Sequence, residues 1–225
     1  MSPSATDSTR QRKLTKERVL RGAVGLADQI GMDGFTIRKL AAELDTKPMT
    51  IYYHVPNKGA IIDGMVDLVF AEIDIPPTGA DWKTAIAQRA RSARGVLARH
   101  PWATPLMESR VNPGPATLRH HDAVLGCFRA AGFTVAMTAH AYALLDAFIY
   151  GFALQEANLP ATGGELMTEI AESITEQFED GQYPHLIELT VEHILKPGYD
   201  FTAEFEFGLN LILNGLQATA TSSSP

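Results

Sequence analysis

The sequence predicts an all-α protein with a small helix-turn-helix head and a larger helical body. Three observations carry that expectation. Apolar residues recur at spacings of three and four along most of the chain, with no convincing alternation of the kind a strand requires. Capping residues and Gly or Pro stops bracket the periodic segments. Charge is also divided unevenly. Residues 1–58 carry ten Lys and Arg against six Asp and Glu, a balance of +4. The rest carries nine against twenty, or −11, which together give the −7 of the whole chain. A basic head on an acidic body fits a nucleic-acid binder whose body has another task.

Residues 1–13 are polar and aperiodic and read as a flexible arm. From there Val19, Leu20, Ala23, Leu26, Ala27 and Ile30 form one helical face, with Thr15 as N-cap and Gly31 as stop. Thr36 caps a second helix over 37–44, whose inner side is Ile37, Leu40, Ala41 and Leu44. After DTKP comes KPMTIYYHVPNK. Pro48 sits in the first turn of a third helix, where its missing N–H costs nothing, and Pro56 ends it. Asn57 caps a fourth over Lys58–Glu72, with Ile61, Ile62, Met65, Leu68 and Val69 inward. The head therefore spans 14–75 and the linker IDIPPTGAD introduces a body over 76–225. Body helices are expected at Trp82–Arg99, 103–110, 116–131, 134–156, 165–178, 184–195 and 201–219.

Two short helices joined by a tight turn, the second presenting polar and aromatic groups, match a DNA-binding helix-turn-helix. Ile51 and Val55 point inward four residues apart. Thr50, Tyr52, Tyr53 and His54 are left to face a major groove, with Arg38 and Lys58 in reach of bases or phosphates. For Tyr52, burial against the head fits the residues equally well.

The segment LTKERVLRGAVGLADQIGMDGFTIRKLAAELDTKPMTIYYHVPNKGAIID resembles the DNA-binding head of TetR-family transcriptional regulators. The later DWKTAIAQRARSARGVLARHP and EFEFGLNLILNGL are similar to the tetracycline-repressor type of C-terminal body. The resemblance implies a homodimer on a palindromic double-stranded DNA operator, a small-molecule inducer, and DNA contacts at Arg38, Thr50, Tyr52, Tyr53, His54 and Lys58. Pro48 and Met49 stand where the tetracycline repressor has a glutamine and a proline, which implies a different operator.

In the body, Ala139, Ala143, Ala147 and Gly151 make a ridge of small residues suited to close helix packing. Phe201, Phe205, Leu209, Ile212 and Leu216 form a stripe on the last helix. Helices 134–156 and 201–219 are expected to form the interface between protomers. His100, Trp102, Met107, Arg110, His121, Phe128, Tyr142, Asp146, Tyr150 and Gln155 are polar, aromatic or sulfur-bearing groups among apolar ones, the composition of a small-molecule site. Aligned on the resemblance, the magnesium-binding histidine of the tetracycline repressor falls at Met107, a poor ligand for a hard cation. The ligand-contacting asparagine and phenylalanine fall at Arg89 and Ala93. His121 stands near a drug-contacting glutamine and Gln155 at a water-linked glutamate. An inducer other than a magnesium–tetracycline chelate is implied.

No HExxH, GxSxG or Gly-rich phosphate loop is present, so no enzyme activity or cofactor is expected. His120 and His121 are adjacent on a helix, about 100° apart, and make no natural chelate; no metal is expected. Glu165, Glu169, Glu172, Glu176 and Glu179 read as a solvated acidic face. Cys127 reads as a packed thiol. No run approaching about 18 apolar residues and no apolar segment behind the basic N-terminus are seen, so a cytoplasmic protein with no membrane partner is expected. A helical small-molecule binder without operator binding is the alternative reading.

Overall fold

The computed structural model describes residues 14–178 and 181–222. The expected arm at 1–13 and Glu179 lie outside them. Among the described residues the chain is helical, and its one β-type pairing is an isolated bridge between Gly163 and Asp200.

Helix α1 (Lys16–Gly34) begins where Thr15 Oγ1 accepts the Arg18 N–H. It breaks at Gly31, whose φ of 67° returns the chain toward α2 (Ile37–Glu43). Thr36 caps α2 through the Lys39 N–H. Asp45, at φ 49°, makes the tight turn, a left-handed position that Asp tolerates better than most residues. α3 (Pro48–His54) carries Pro48 in its first turn and stops at an extended Val55. Asn57 Oδ1 accepts the Ala60 N–H to open α4 (Lys58–Glu72). All three expected caps are thus present.

The inner face of α4 differs from the expected one. Val66 and Phe70 are buried with Ile61, Met65 and Val69, whereas Ile62 and Leu68 are half-exposed. The reason is that α4 packs on two sides, against α1 and against α6 of the body. Its approach to α1 is close: a Cβ on Gly64 would lie 2.6 Å from Leu20 Cδ2.

The body comprises α5 (Trp82–Arg99), a 3₁₀ segment (Pro101–Leu106), α6 (Pro115–Ala130), α7 (Val135–Asn158), α8 (Gly164–Thr175), α9 (Pro184–Leu189) and α10 (Thr202–Ser222). The α-helix expected over 103–110 is that 3₁₀ segment instead. Pro105 inside it has no N–H to give, which suits a short, tight turn. α8 is shorter than expected, and the end of the 184–195 helix widens to a π-turn over Thr190–Ile194.

α5, α6, α7 and α10 pack together around Ala90, Val96, Phe128, Leu145, Ile149 and Phe205. Contrary to expectation, α7 is long and apolar enough to cross a membrane by length and composition. It is nevertheless the central helix of this bundle, and it carries an ion-paired aspartate. The expected α10 interface stripe is also corrected. Phe205, Leu209 and Leu216 are buried within the protomer, together with Leu213, while Phe201 and Ile212 are half-buried. The face of α10 left open holds Phe207 and Leu211, 70% and 64% exposed. Ala139, Ala143, Ala147 and Gly151 of α7 are all exposed.

Candidate nucleic-acid interface and the buried centre of the body

α3 is only two turns long and gains little stability from its own hydrogen bonds. Ile51 and Val55, 0% and 1% exposed, fix it to the head. With those two side chains inward, Met49 and Tyr53 stand out at 68% and 85% exposure. Thr50 and His54 are half-exposed, and Tyr52 sits between, its ring partly covered. Arg38 is exposed on α2. Lys58 lies at the start of α4, its ammonium over the Phe35 ring and 3.5 Å from the Phe35 carbonyl. The six expected DNA-facing residues therefore come from α2, α3 and the first turn of α4.

Eight of the ten expected body residues separate into three groups. His100 and Trp102 lie at the junction of head and body: His100 Nδ1 is 2.7 Å from Asp28 Oδ1 of α1, and the Trp102 indole N–H donates to the same oxygen at 2.6 Å. His100 Nε2 is 3.3 Å from Glu72 of α4, which also accepts from Arg99 at 2.8 Å. Those hydrogen bonds hold the Glu72 carboxyl below its ordinary range against the opposing effect of burial.

Met107, Arg110 and His121 line a cleft of about 140 Å³ between α4 and the start of α6. Arg110 bridges it, donating to Asp63 of α4 at 2.6 Å. Asp67, one turn further along α4, accepts both the Thr117 N–H at 2.8 Å and its hydroxyl at 3.0 Å. The N-terminus of α6 is thus capped by a carboxylate from a different helix, where the helix dipole favours negative charge. Gly114 makes room for it, since a Cβ there would overlap the Asp67 carboxyl.

Asp146 and Tyr142 belong to a buried polar centre that also holds Arg89, His120 and Tyr150. Arg89 is 1% exposed; it donates to Asp146 Oδ1 at 2.7 Å and through Nε to His120 Nε2 at 3.1 Å. Because arginine only donates, His120 accepts in its neutral form, with its proton on Nδ1. Burial, then the Arg89 charge, push the His120 pKa down to about 3. Tyr142 hydrogen-bonds His121 Nδ1, whose ring burial likewise keeps toward the neutral form. Both Tyr142 and Tyr150 are shifted upward, first by burial and then by the Asp146 charge, so each keeps its proton.

Two expected pocket residues are elsewhere. Phe128 is core, packed on Trp82 and Phe133, and Gln155 is exposed on α7. Arg89 and His120 were not among the expected pocket residues. The resemblance puts Arg89 where the tetracycline repressor has a ligand-contacting asparagine, but its partners lie 31 and 57 positions away and are not adjacent in sequence. Cys127 is half-buried, and burial raises its thiol pKa, which favours the protonated form.

Comparison with known proteins agrees with this architecture. Residues 19–65 match the family model "Bacterial regulatory proteins, tetR family", and residues 75–220 match "Tetracyclin repressor-like, C-terminal domain". The HTH-type transcriptional repressor DrrR1 of Streptomyces coeruleorubidus is 32% identical over 91% of this chain and 77% of its own. The class A tetracycline repressor of Escherichia coli is 28% identical over 91% of each chain. The Streptomyces coelicolor TetR family protein ActR, solved with actinorhodin, superposes with a TM-score of 0.75 at 27% identity, covering 92% of this chain and 99% of its own. With both family models matched in order along a helix-turn-helix head and a helical body, the chain belongs to the TetR family of DNA-binding bacterial transcriptional regulators.

Proposed function

We propose that the protein is a cytoplasmic, homodimeric repressor that holds a palindromic operator with α3 and releases it when a small organic inducer enters the body. In this reading residues 14–75 bind DNA and 76–225 bind inducer and partner. The observation that carries it is the outer face of α3: a tyrosine 85% exposed on a helix pinned by two fully buried residues has no role in the protomer's own packing. Thr50, Tyr53 and His54 address base edges and phosphates, with Arg38, Tyr52 and Lys58 at the margins. Pro48 and Met49 offer no polar side chain, so the operator differs from the tetracycline type.

Release follows from the contacts of α4. Arg110–Asp63 and Thr117–Asp67 tie α4 to the wall of the cleft, while Asp28 and Glu72 tie α1 and α4 to His100. A ligand that widens the cleft displaces the start of α6, and the two aspartates carry that movement to the head. Such a ligand acts through unequal affinity for the two conformations. ActR's complex with actinorhodin supports an organic ligand. Met107, a thioether facing the cleft, does not suit a magnesium chelate.

The test is fluorescence anisotropy on a sequence selected from random DNA. Thr50→Ala and Tyr53→Ala are each expected to weaken binding by about 1–3 kcal/mol, roughly 5- to 150-fold, with melting temperature unchanged. Unchanged affinity in both variants removes α3 from the interface. Wild-type affinity should fall steeply with salt.

A further inference from the structure

His100 follows the last turn of α5, and its backbone is tied on both sides. Its N–H donates to the Val96 carbonyl at 3.0 Å, and its own carbonyl accepts the Ala103 N–H at 2.8 Å. The ring is buried and faces two helices of the head. Nδ1 lies 2.7 Å from Asp28 Oδ1 of α1, and Nε2 lies 3.3 Å from Glu72 Oε2 of α4. The same two oxygens also accept from the body, Asp28 from the Trp102 indole and Glu72 from Arg99.

An ionised carboxylate only accepts, so a ring nitrogen bonds to it only when it carries a hydrogen. Neutral imidazole has one N–H and one lone pair. It bonds one of these carboxylates and turns its lone pair on the other. Imidazolium donates to both. When one proton is lost, the shorter contact to Asp28 keeps its hydrogen, and Nε2 is left facing Glu72 without one. Charge points the same way. Asp28 from α1, Glu72 from α4 and Arg99 from α5 are two anions and one cation, so a proton on His100 brings the cluster to neutrality. α7 also packs on the 3₁₀ segment, but its carboxylates Asp146 and Glu156 are paired with Arg89 and Arg94. Against the effect of burial, hydrogen bonds from Arg99 and His100 hold the Glu72 carboxyl below its ordinary range, so it stays an acceptor. Asp28 and Glu72 are both exposed, which lets solvent supply the proton.

We propose that His100 is a proton-operated latch between head and body. With the proton it holds α1 and α4 together on the end of α5. Without the proton it stays on α1 and lets α4 go. Both bonds are therefore present in acid, and the one to α4 is lost as pH rises. In the reading above α4 carries the movement that frees the operator, and the consequence for DNA rests on that reading. Acid holds the head in its operator-binding arrangement, and alkali favours release.

Trp102 reports on the latch, since its ring centroid lies 6.2 Å from that of His100 and an imidazolium quenches a neighbouring indole far more than imidazole does. In Trp82→Phe, which leaves Trp102 as the single tryptophan, emission is expected to rise in a one-proton step between about pH 5 and 8. In that background His100→Gln is expected to lose the step. Glu72→Gln can turn an amide N–H toward Nε2, so the neutral ring keeps both contacts and the step is expected to move to lower pH. Operator affinity is read by anisotropy at about pH 6 and about pH 8. Its fall is expected to be about two- to fivefold larger in wild type than in His100→Gln, a comparison that cancels the share of His54 at the DNA. No step, a step that survives His100→Gln, or a step unmoved in Glu72→Gln overturns the latch. If the step behaves as expected while His100→Gln leaves the pH dependence of operator affinity unchanged, the latch stands and release through α4 fails.

Discussion

Replacing Arg89 by methionine is expected to destabilise the protein by about 3–5 kcal/mol, measured by urea unfolding at a fixed protein concentration. The cause is what remains: Asp146, 5% exposed, loses the cation that its Oδ1 accepts from at 2.7 Å. His120 loses its donor as well, and the aspartate must stay charged without a partner or take up a proton. Arg89→Met with Asp146→Leu removes both charges and is expected to recover most of the loss, because a buried ion pair gives little net stability over apolar side chains of similar volume. A double variant no more stable than the single one would show that Arg89 acts through packing instead of charge. By contrast the exposed pair Arg21–Glu17 on α1 should contribute only about 0.3–0.5 kcal/mol.

Leu211→Glu is expected to leave the protomer folded but monomeric, with operator affinity lower by about 10²–10⁴-fold. Leu211 is 64% exposed in the protomer, beside Phe207 on the open face of α10, and the small-residue ridge of α7 is exposed too. A charge there costs the isolated chain little. At a two-fold interface it is set against its own copy in an apolar setting. Sedimentation velocity reads the mass, and anisotropy on the operator reads the affinity. Phe205→Glu, at a fully buried position of the same helix, should instead unfold the chain. If Leu211→Glu stays dimeric, the interface lies elsewhere.

Local chemistry made the head legible. Thr15, Thr36 and Asn57 are caps because short polar side chains answer the free N–H groups of a helix start, and all three do so here. Pro48 and Pro56 bounded α3, and a spacing of four placed Ile51 and Val55 inward. α10 was less legible because it is apolar on more than one side. Periodicity found the Phe205–Leu209 stripe but could not say whether it faced the protomer or its copy. The Phe207–Leu211 face, offset by two residues, is the open one. The body centre was half visible. Tyr142, Asp146 and Tyr150 stood out as polar groups on an apolar helix. The bonds of Arg89 to His120 and Asp146 come from helix packing that joins residues far apart in sequence. His100 and Trp102, expected to line the pocket, both converge on Asp28 of the head.

Hydroxyl-radical footprinting on a DNA sequence selected from a random pool tests the central claim most directly. The account predicts two protected half-sites related by a two-fold axis, with centres about 34–36 Å apart or a multiple of that spacing, and protection lost in Tyr53→Ala. Absence of sequence-selective protection by the folded wild-type dimer, or protection that survives Tyr53→Ala unchanged, would contradict it.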